Sequence, residues 1–227
     1  MSPLKSSEAE DASTVPTGSP ADGGGSLPVG IVLAGGASRR FGSDKATLEI
    51  ARGDGVETLA GWALRRLREV CEEVAVADGG RDVLAGVRSL PDGPGRGPAA
   101  GLLGAARAFP ARSLLVLACD LPAVPVELLA KIAAVAAGGD FDLVLPRWEG
   151  GAEPLSALYA PKALAALDRR VAAANYALYD LAESPGLNVA ALLSEADLLP
   201  FGPPEEIFAN VNTPEDLARW LARRERD

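Results

Sequence analysis

IVLAGGASRRFGSDK, residues 31–45, joins an apolar run to a glycine-rich loop that carries Arg39, Arg40 and Lys45. A turn needs the glycines but has no use for three cations. In a chain of formal net charge -9, cations gathered on one loop point to a bound anion. Glycines let backbone N–H groups approach a phosphate closely, and the cations neutralise its charge. The spacing is not the dinucleotide fingerprint, because Gly35, Gly36 and Gly42 do not fit G-x-G-x-x-G. It is not a Walker loop either, since Ser43 stands where that motif needs lysine. The bland alternative is a solvated turn with incidental cations. A place at the carboxyl end of a strand argues against it, because ligands of parallel sheets gather there.

The composition bounds what the anion can be. The 227 residues allow one large domain or two small ones, and 48% apolar with 23% charged residues is ordinary for a globular protein. No apolar stretch approaches the roughly 18 residues a membrane span needs, and the N-terminus lacks the apolar core of a secretory signal. A cytoplasmic protein without membrane contact is therefore expected. Histidine is absent, which excludes Ser-His and Cys-His nucleophiles and every His-ligated zinc. Cys71 and Cys119 are too few and too far apart for a disulfide framework or thiolate metal site. Any metal must then have oxygen ligands, which favours Mg²⁺ or Mn²⁺. An isoelectric point near 4.7 argues against nucleic-acid binding.

Residues 1–27 are rich in Ser, Pro, Gly and acid, and predict a disordered tail before a single domain over 28–227. From Val29 onward, strand-like and helix-like segments alternate. VGIVLA (29–34), EVAVA (73–77), VRSLP (87–91), SLLVLAC (113–119), FDLVLP (141–146) and PLSALY (154–159) read as strands. Helices are expected at about 58–71, 99–108, 125–137 and 161–173. The third would have Pro125 as its first helical residue and stop at Gly138-Gly139. A last helix is marked by Thr213 as N-cap, Pro214 next, Asp216 at the third position and arginines at its end. The alternation predicts an α/β fold of three layers, Rossmann-like, with a mostly parallel sheet and helices on both faces.

Three segments then fall at carboxyl ends of strands. Besides the opening loop there is Asp120, in LLVLACDLP, where a carboxylate can hold hydrated Mg²⁺ against substrate phosphates; a turn or capping role is the alternative. The run PDGPGRGPAAGLLGA (91–105) offers Asp92 to a base edge or ribose and Arg96 to phosphate, or serves as a plain connector. Finally, FANVNTPEDL (208–217) sets Asn210 and Asn212 before a capped helix, and capping accounts for neither asparagine.

Taken in order, LAGGASRRFGSDKA, GRGPAAGLL, CDLPAVPVELL, PLSALY and NVNTPEDLARW resemble the molybdenum cofactor guanylyltransferases, of the nucleotidyltransferase superfamily. The resemblance spans about residues 28–224, and Ala34-Gly35-Gly36 favours GTP over the Ala-Ala-Gly of CTP-using relatives. It implies transfer of GMP from Mg-GTP to the phosphate of molybdenum-molybdopterin, with molybdoenzymes or their chaperones as recipients. It further implies that Leu33, Ala34, Gly35 and Gly36 hold the guanine nucleotide through backbone groups. Lys45 would bind its phosphates, Asp92 the nucleoside, and Asp120 Mg²⁺. Arg40, Asn210 and Asn212 would face the molybdopterin, and catalysis would rest on Lys45, Arg40 and Asp120. The chain departs from the pattern at Ala77-Asp78-Gly79, where the family often has a nucleotide-binding Asn, at Phe41 for Met, and at Ala99 for Leu. The alternatives are a nucleotidyltransferase using CTP or another phosphorylated acceptor, and a non-catalytic nucleotide-binding module. Lys45, as a loop residue, is expected to contribute little to folding.

The tail generates the first test. Deleting residues 1–27 should leave turnover and melting temperature nearly unchanged, because the segment has no apolar face to dock. A scanning-calorimetry melt of the truncated chain checks this.

Overall fold

A computed structural model of the chain describes residues 27–35, 45–52, 55–192 and 195–224. The tail read over 1–27 therefore lies outside these residues except for Leu27, whose carbonyl accepts a 2.8 Å hydrogen bond from Arg112 Nη2.

The chain opens with Val29–Leu33 (β1), followed by a hairpin of Glu49–Arg52 (β2) and Gly55–Thr58 (β3). Helix Leu59–Arg68 (α1) leads to Val74–Ala77 (β4) and Arg88–Leu90 (β5). Helix Pro98–Ala108 (α2), strand Leu114–Ala118 (β6) and helix Val126–Gly138 (α3) come next. Leu143–Trp148 (β7), Gly151–Ala152 (β8) and Ser156–Tyr159 (β9) precede helix Pro161–Ala172 (α4). Val189–Leu192 (β10), two short helices at Glu195–Leu198 (α5) and Pro204–Ile207 (α6), and Pro214–Arg224 (α7) complete it.

The main sheet runs β10-β7-β9-β6-β1-β4-β5, with β8 paired to β7. β1 pairs parallel with β4 on one side and with β6 on the other, so the strand order reverses at β1. That reversal opens a crevice beyond the carboxyl ends of β1 and β6. Both strands are buried along their whole length, as continuous apolar runs covered on two faces must be. Helices α1 and α3 touch one another over one face, and α2 and α4 over the other. This is the expected three-layer α/β architecture.

Strand β9 is antiparallel to both β6 and β7. Its direction has a consequence for the site: an antiparallel β9 begins at the end of the sheet where β6 finishes. Leu117 pairs with Ser156, and Ala118 N–H donates to the Leu155 carbonyl at 2.9 Å. A parallel strand would have carried residues 153–155 to the far edge.

Several expected boundaries move by a residue or more. Pro125 is the N-cap of α3 and not its first helical residue, and Gly138 still belongs to the helix. Thr58 is the N-cap of α1, its hydroxyl accepting from Gly61 N–H at 3.0 Å. The β2–β3 hairpin and β10 have no counterpart in the sequence reading. The hairpin matters because Ile50, with Leu59, Trp62 and Val211, forms a second small core that seats α7 through Leu217, Trp220 and Leu221. Helix α7 begins as expected: Thr213 Oγ1 accepts from Asp216 N–H at 3.1 Å, and Asp216 Oδ2 from Thr213 N–H at 2.9 Å.

The glycine-rich run before α2 packs backbone on backbone. A Cβ added at Gly104 would lie 2.1 Å from the Pro91 carbonyl oxygen, so only hydrogen fits there. Gly104→Ala should therefore destabilise the fold by more than about 2 kcal/mol, although alanine is favoured over glycine in a helix by roughly 1 kcal/mol. A urea titration reads the sign directly, and a stabilised variant would show that the loop does not rest on α2.

Candidate active site

The cluster at the carboxyl edge is built around Lys45. Its Nζ donates to Asp120 Oδ2 at 2.9 Å, to Asn212 Oδ1 at 2.7 Å and to the Val211 carbonyl at 3.2 Å. Each partner reaches the edge by a different route. Asp120 follows β6 directly, in the turn that Leu121 N–H closes on the Ala118 carbonyl. Asn212 is fixed by the α7 cap, its own N–H donating to Asp216 Oδ2 at 3.0 Å. That contact, foremost among several, holds the Asp216 carboxyl below its ordinary range. Val211 N–H donates to the Asp120 carbonyl at 2.8 Å, which closes the ring of contacts.

Lys45 is only 16% exposed and Asp120 22%. The expectation that Lys45 contributes little to folding is thus corrected. A part-buried ammonium with three acceptors ties three distant segments together, and its loss would leave Asp120 facing no cation. Asp120 Oδ1 accepts no hydrogen bond among the described residues, which leaves one carboxylate oxygen uncommitted.

A second group of residues stands beside the first. The Leu33 carbonyl accepts from Cys119 N–H at 3.0 Å, and Ala34 N–H donates to the Ala77 carbonyl at 3.0 Å. These bonds pin the start of the opening loop between β4 and β6. Gly79 takes φ +72°, a left-handed conformation suited to glycine, and a Cβ there would sit 3.4 Å from Asp92 Oδ2. Asp92 is exposed and faces this turn. Leu33, Ala34, Gly35, Gly79 and Asp92 therefore gather after the carboxyl ends of β1, β4 and β5, and Lys45, Asp120 and Asn212 meet after that of β6. Asn210 is exposed on the same segment as Asn212, and no hydrogen bond among the described residues engages its side chain. Gly36 and Arg40 lie outside the described residues.

Asp78, in the stretch where the family often has Asn, is buried and turned inward. Burial opposes its charge but is outweighed by hydrogen bonds from the Ser89 hydroxyl and the N–H groups of Val83 and Gly80, so its pKa is lowered. It shapes the loop from within. Arg81, in the same loop, donates Nε to the Asp78 carbonyl at 2.7 Å and Nη2 to the Ala34 carbonyl, bracing the opening turn.

Glu153 escaped the sequence reading. It lies just before β9, whose antiparallel course delivers it to the Asp120 end of the sheet. Its Oε1 accepts from Leu155 N–H at 3.0 Å, and the Tyr159 hydroxyl braces the same loop by donating to the Pro154 carbonyl at 2.7 Å. Burial pushes the Glu153 carboxyl up to about 7, against the Leu155 hydrogen bond, and the charge of Asp120 acts in the same direction as burial. The available signal was an acid directly ahead of a buried strand, but its meaning depended on the strand's direction.

Among the described residues no group of three or more His, Cys, Asp or Glu gathers to hold a metal ion. A divalent cation there would have the Asp120 carboxylate, with water completing its oxygen shell.

A family description, MobA-like NTP transferase domain, matches residues 30–185. The chain belongs to this family. It is 34% identical over 206 residues to a probable molybdenum cofactor guanylyltransferase of Pelotomaculum thermopropionicum, covering 87% of this chain and 94% of the relative. It is 33% identical over 199 residues to the molybdenum cofactor guanylyltransferase of Rhodobacter capsulatus, covering 84% and 93% of the two chains. The crystal structure of molybdopterin-guanine dinucleotide biosynthesis protein A from Archaeoglobus fulgidus superposes with a TM-score of 0.73 at 25% identity, over 88% of this chain and all of that one. A cytidylyltransferase from Thermus thermophilus, at TM-score 0.61 and 20% identity over 88% of this chain and all of that one, shares the fold. Membership of this family makes the chain an enzyme of the nucleotidyltransferase class. No helix among the described residues is long and apolar enough to cross a membrane.

Glu153 yields a pH prediction. An acid whose folded pKa is raised binds more protons folded than unfolded, so stability falls as pH rises from about 4.5 through about 7. In metal-free buffer, Glu153→Gln should match the parent near pH 4 and exceed it by up to about 3 kcal/mol near pH 8. Urea midpoints across pH measure the gap, and a constant gap would mean that Glu153 ionises normally.

Proposed function

We propose that the enzyme transfers GMP from Mg-GTP to the terminal phosphate of molybdenum-bearing molybdopterin, releasing pyrophosphate and forming the guanine dinucleotide cofactor. The reading is carried by the Lys45–Asp120 pair at the carboxyl edge, in a chain whose relatives across most of its length bear the guanylyltransferase name.

The acceptor phosphate is itself the nucleophile. One of its oxygens bonds to the α-phosphorus while the bond from that phosphorus to the bridging oxygen breaks, and pyrophosphate leaves with the electron pair. No side chain has to be activated, which suits a chain without histidine. The protein's part is then positioning and charge neutralisation. Leu33, Ala34, Gly35 and Gly36 would hold the nucleoside through backbone groups, with Asp92 across from them. Arg40, Asn210 and Asn212 would receive the acceptor. Asp120 would hold Mg²⁺ through its open oxygen, the cation offsetting phosphate charge when bound. Lys45 would exchange Asp120 for the nucleotide phosphates as substrate enters. In the free enzyme the two charges satisfy each other, so neither waits unpaired in the part-buried crevice. The product would pass to a molybdoenzyme or its chaperone.

The decisive experiment incubates the protein with Mg²⁺, molybdenum-molybdopterin and either GTP or CTP, and detects the dinucleotide by mass. Product from GTP is expected, with little from CTP; equal product from both would overturn the base assignment. Lys45→Ala should cost 10²–10³ in turnover, of the order seen when one charge-stabilising donor is removed, and lysine-to-arginine exchange should rescue it only in part. It should also cost about 1–3 kcal/mol of stability, so rates are compared on folded protein. Asp120→Asn should fold normally and lose Mg²⁺-dependent turnover. Near-normal turnover in both variants would remove the pair from the mechanism.

A further inference from the structure

Beside the segment that carries Asn210 and Asn212 lies a cavity of about 500 Å³ between α1, α6 and α7. Asn210 and Val211 form part of its wall, so it adjoins the segment proposed to receive the acceptor. The same segment reaches the catalytic cluster. Val211 N–H donates to the Asp120 carbonyl, and the Val211 carbonyl and Asn212 Oδ1 both accept from Lys45 Nζ. Two residues of chain span at most about 7 Å, which bounds the step from Asn210 to Asn212. A molecule with its phosphate at Lys45 and Asn212 therefore needs only a short arm to place a ring system in the cavity.

The wall suits a flat ring. Trp62 and Trp220 both stand on it, their rings edge-on with centres 5.3 Å apart. Trp62 Nε1 is fixed by donating to the Pro122 carbonyl at 2.9 Å. Arg66, four residues after Trp62 and so on the same side of α1, also lines the cavity. Its guanidinium carbon lies 4.0 Å from the centre of the Trp62 ring, and its Nε donates to the Val124 carbonyl at 2.9 Å. Indole and carbonyl together set the orientation of the guanidinium, while its two Nη groups make no hydrogen bond among the described residues.

We infer that this cavity receives the pterin ring system of the acceptor and that Arg66 reads it, an assignment that rests on the acceptor proposed above. A pterin carries a flat aminopyrimidinone with a carbonyl oxygen on its edge. The Nη groups of Arg66, already oriented, donate to that oxygen as arginine does to O6 of guanine. Trp62 and Trp220 supply the apolar surface that burying a ring requires, and the Asn210 amide is available to a remaining polar edge. An aromatic wall with a few placed polar groups, at this volume, is the usual form of a site for a small ring ligand. The base of GTP has a similar edge, but its proposed place lies after β1, β4 and β5. Both rings must be held at once for a dinucleotide to form, so the acceptor's ring needs a place of its own.

Fluorescence polarisation of 6-hydroxymethylpterin, a probe without phosphate or metal, tests the assignment as the full chain is added up to about 1 mM. Saturable binding is expected, and saturating GDP should leave it in place. Arg66→Gln should weaken it at least about tenfold, since the lost guanidinium removes charge-assisted hydrogen bonds. If a thermal scan shows that Arg66→Gln unfolds the chain, Ala209→Leu keeps the test open. It fills the cavity from an exposed position and should weaken binding at least about threefold. No binding at about 1 mM, undiminished binding in folded Arg66→Gln or in Ala209→Leu, or displacement by GDP would each overturn the inference. The mass assay for the dinucleotide keeps the two failures apart. Product from GTP, with probe binding indifferent to these changes, sinks the cavity assignment alone. Probe bound through Arg66, with no product from molybdenum-molybdopterin, sinks the proposed transfer and leaves the cavity a pterin site.

Discussion

The ammonium of Lys45 is where the chain's long-range order converges. Its three acceptors are 75, 166 and 167 residues away along the chain, so loop closure makes each contact entropically expensive to form alone. They form because the sheet has already brought the carrying segments to one edge. β1 delivers the opening loop, β6 ends in the Asp120 turn, and the α7 cap holds Asn212. The ammonium joins segments that the sheet and caps have positioned, and the same sharing keeps a part-buried cation and anion from facing the crevice uncompensated.

Direction of chain, more than identity of residue, determines which side chains reach that edge. Parallel β1, β4 and β6 all present their carboxyl ends, as a Rossmann-like sheet requires. Antiparallel β9 adds the loop at its beginning, and with it Glu153. The site thus draws on what leaves three strands and on what enters a fourth. At that convergence burial, with the charge of Asp120 acting in the same direction, raises the Glu153 carboxyl to about 7.

The sequence made β1 and β6 legible because continuous apolar runs have few other uses, and Thr213-Pro214 because caps are local chemistry. Asp120 could be placed at the edge for the same reason. What stayed hidden was non-local. β2 and β3 carry Glu49, Glu57 and Thr58 on a partly exposed surface, and β10 is rich in alanine, a weak strand former, so neither element announces itself. The pairing of Lys45 with Asp120 could not be read from either residue, since both were assigned to absent ligands. Asp78 shows the converse. A residue in the stretch that departs from the family pattern is turned into the protein, where Ser89 and backbone donors consume its capacity.

The charge distribution follows one logic on both sides of the Val211 segment. Surplus acid keeps the protein at a distance from polyanions in general, because the bulk field repels them. A small anion must then be drawn by cations that are close and desolvated, where interactions are little screened. In the proposed function that cation is Lys45, paired with Asp120 in the free enzyme. Beside Trp62, Arg66 has the indole face and the Val124 carbonyl as partners, which support a guanidinium without cancelling its charge.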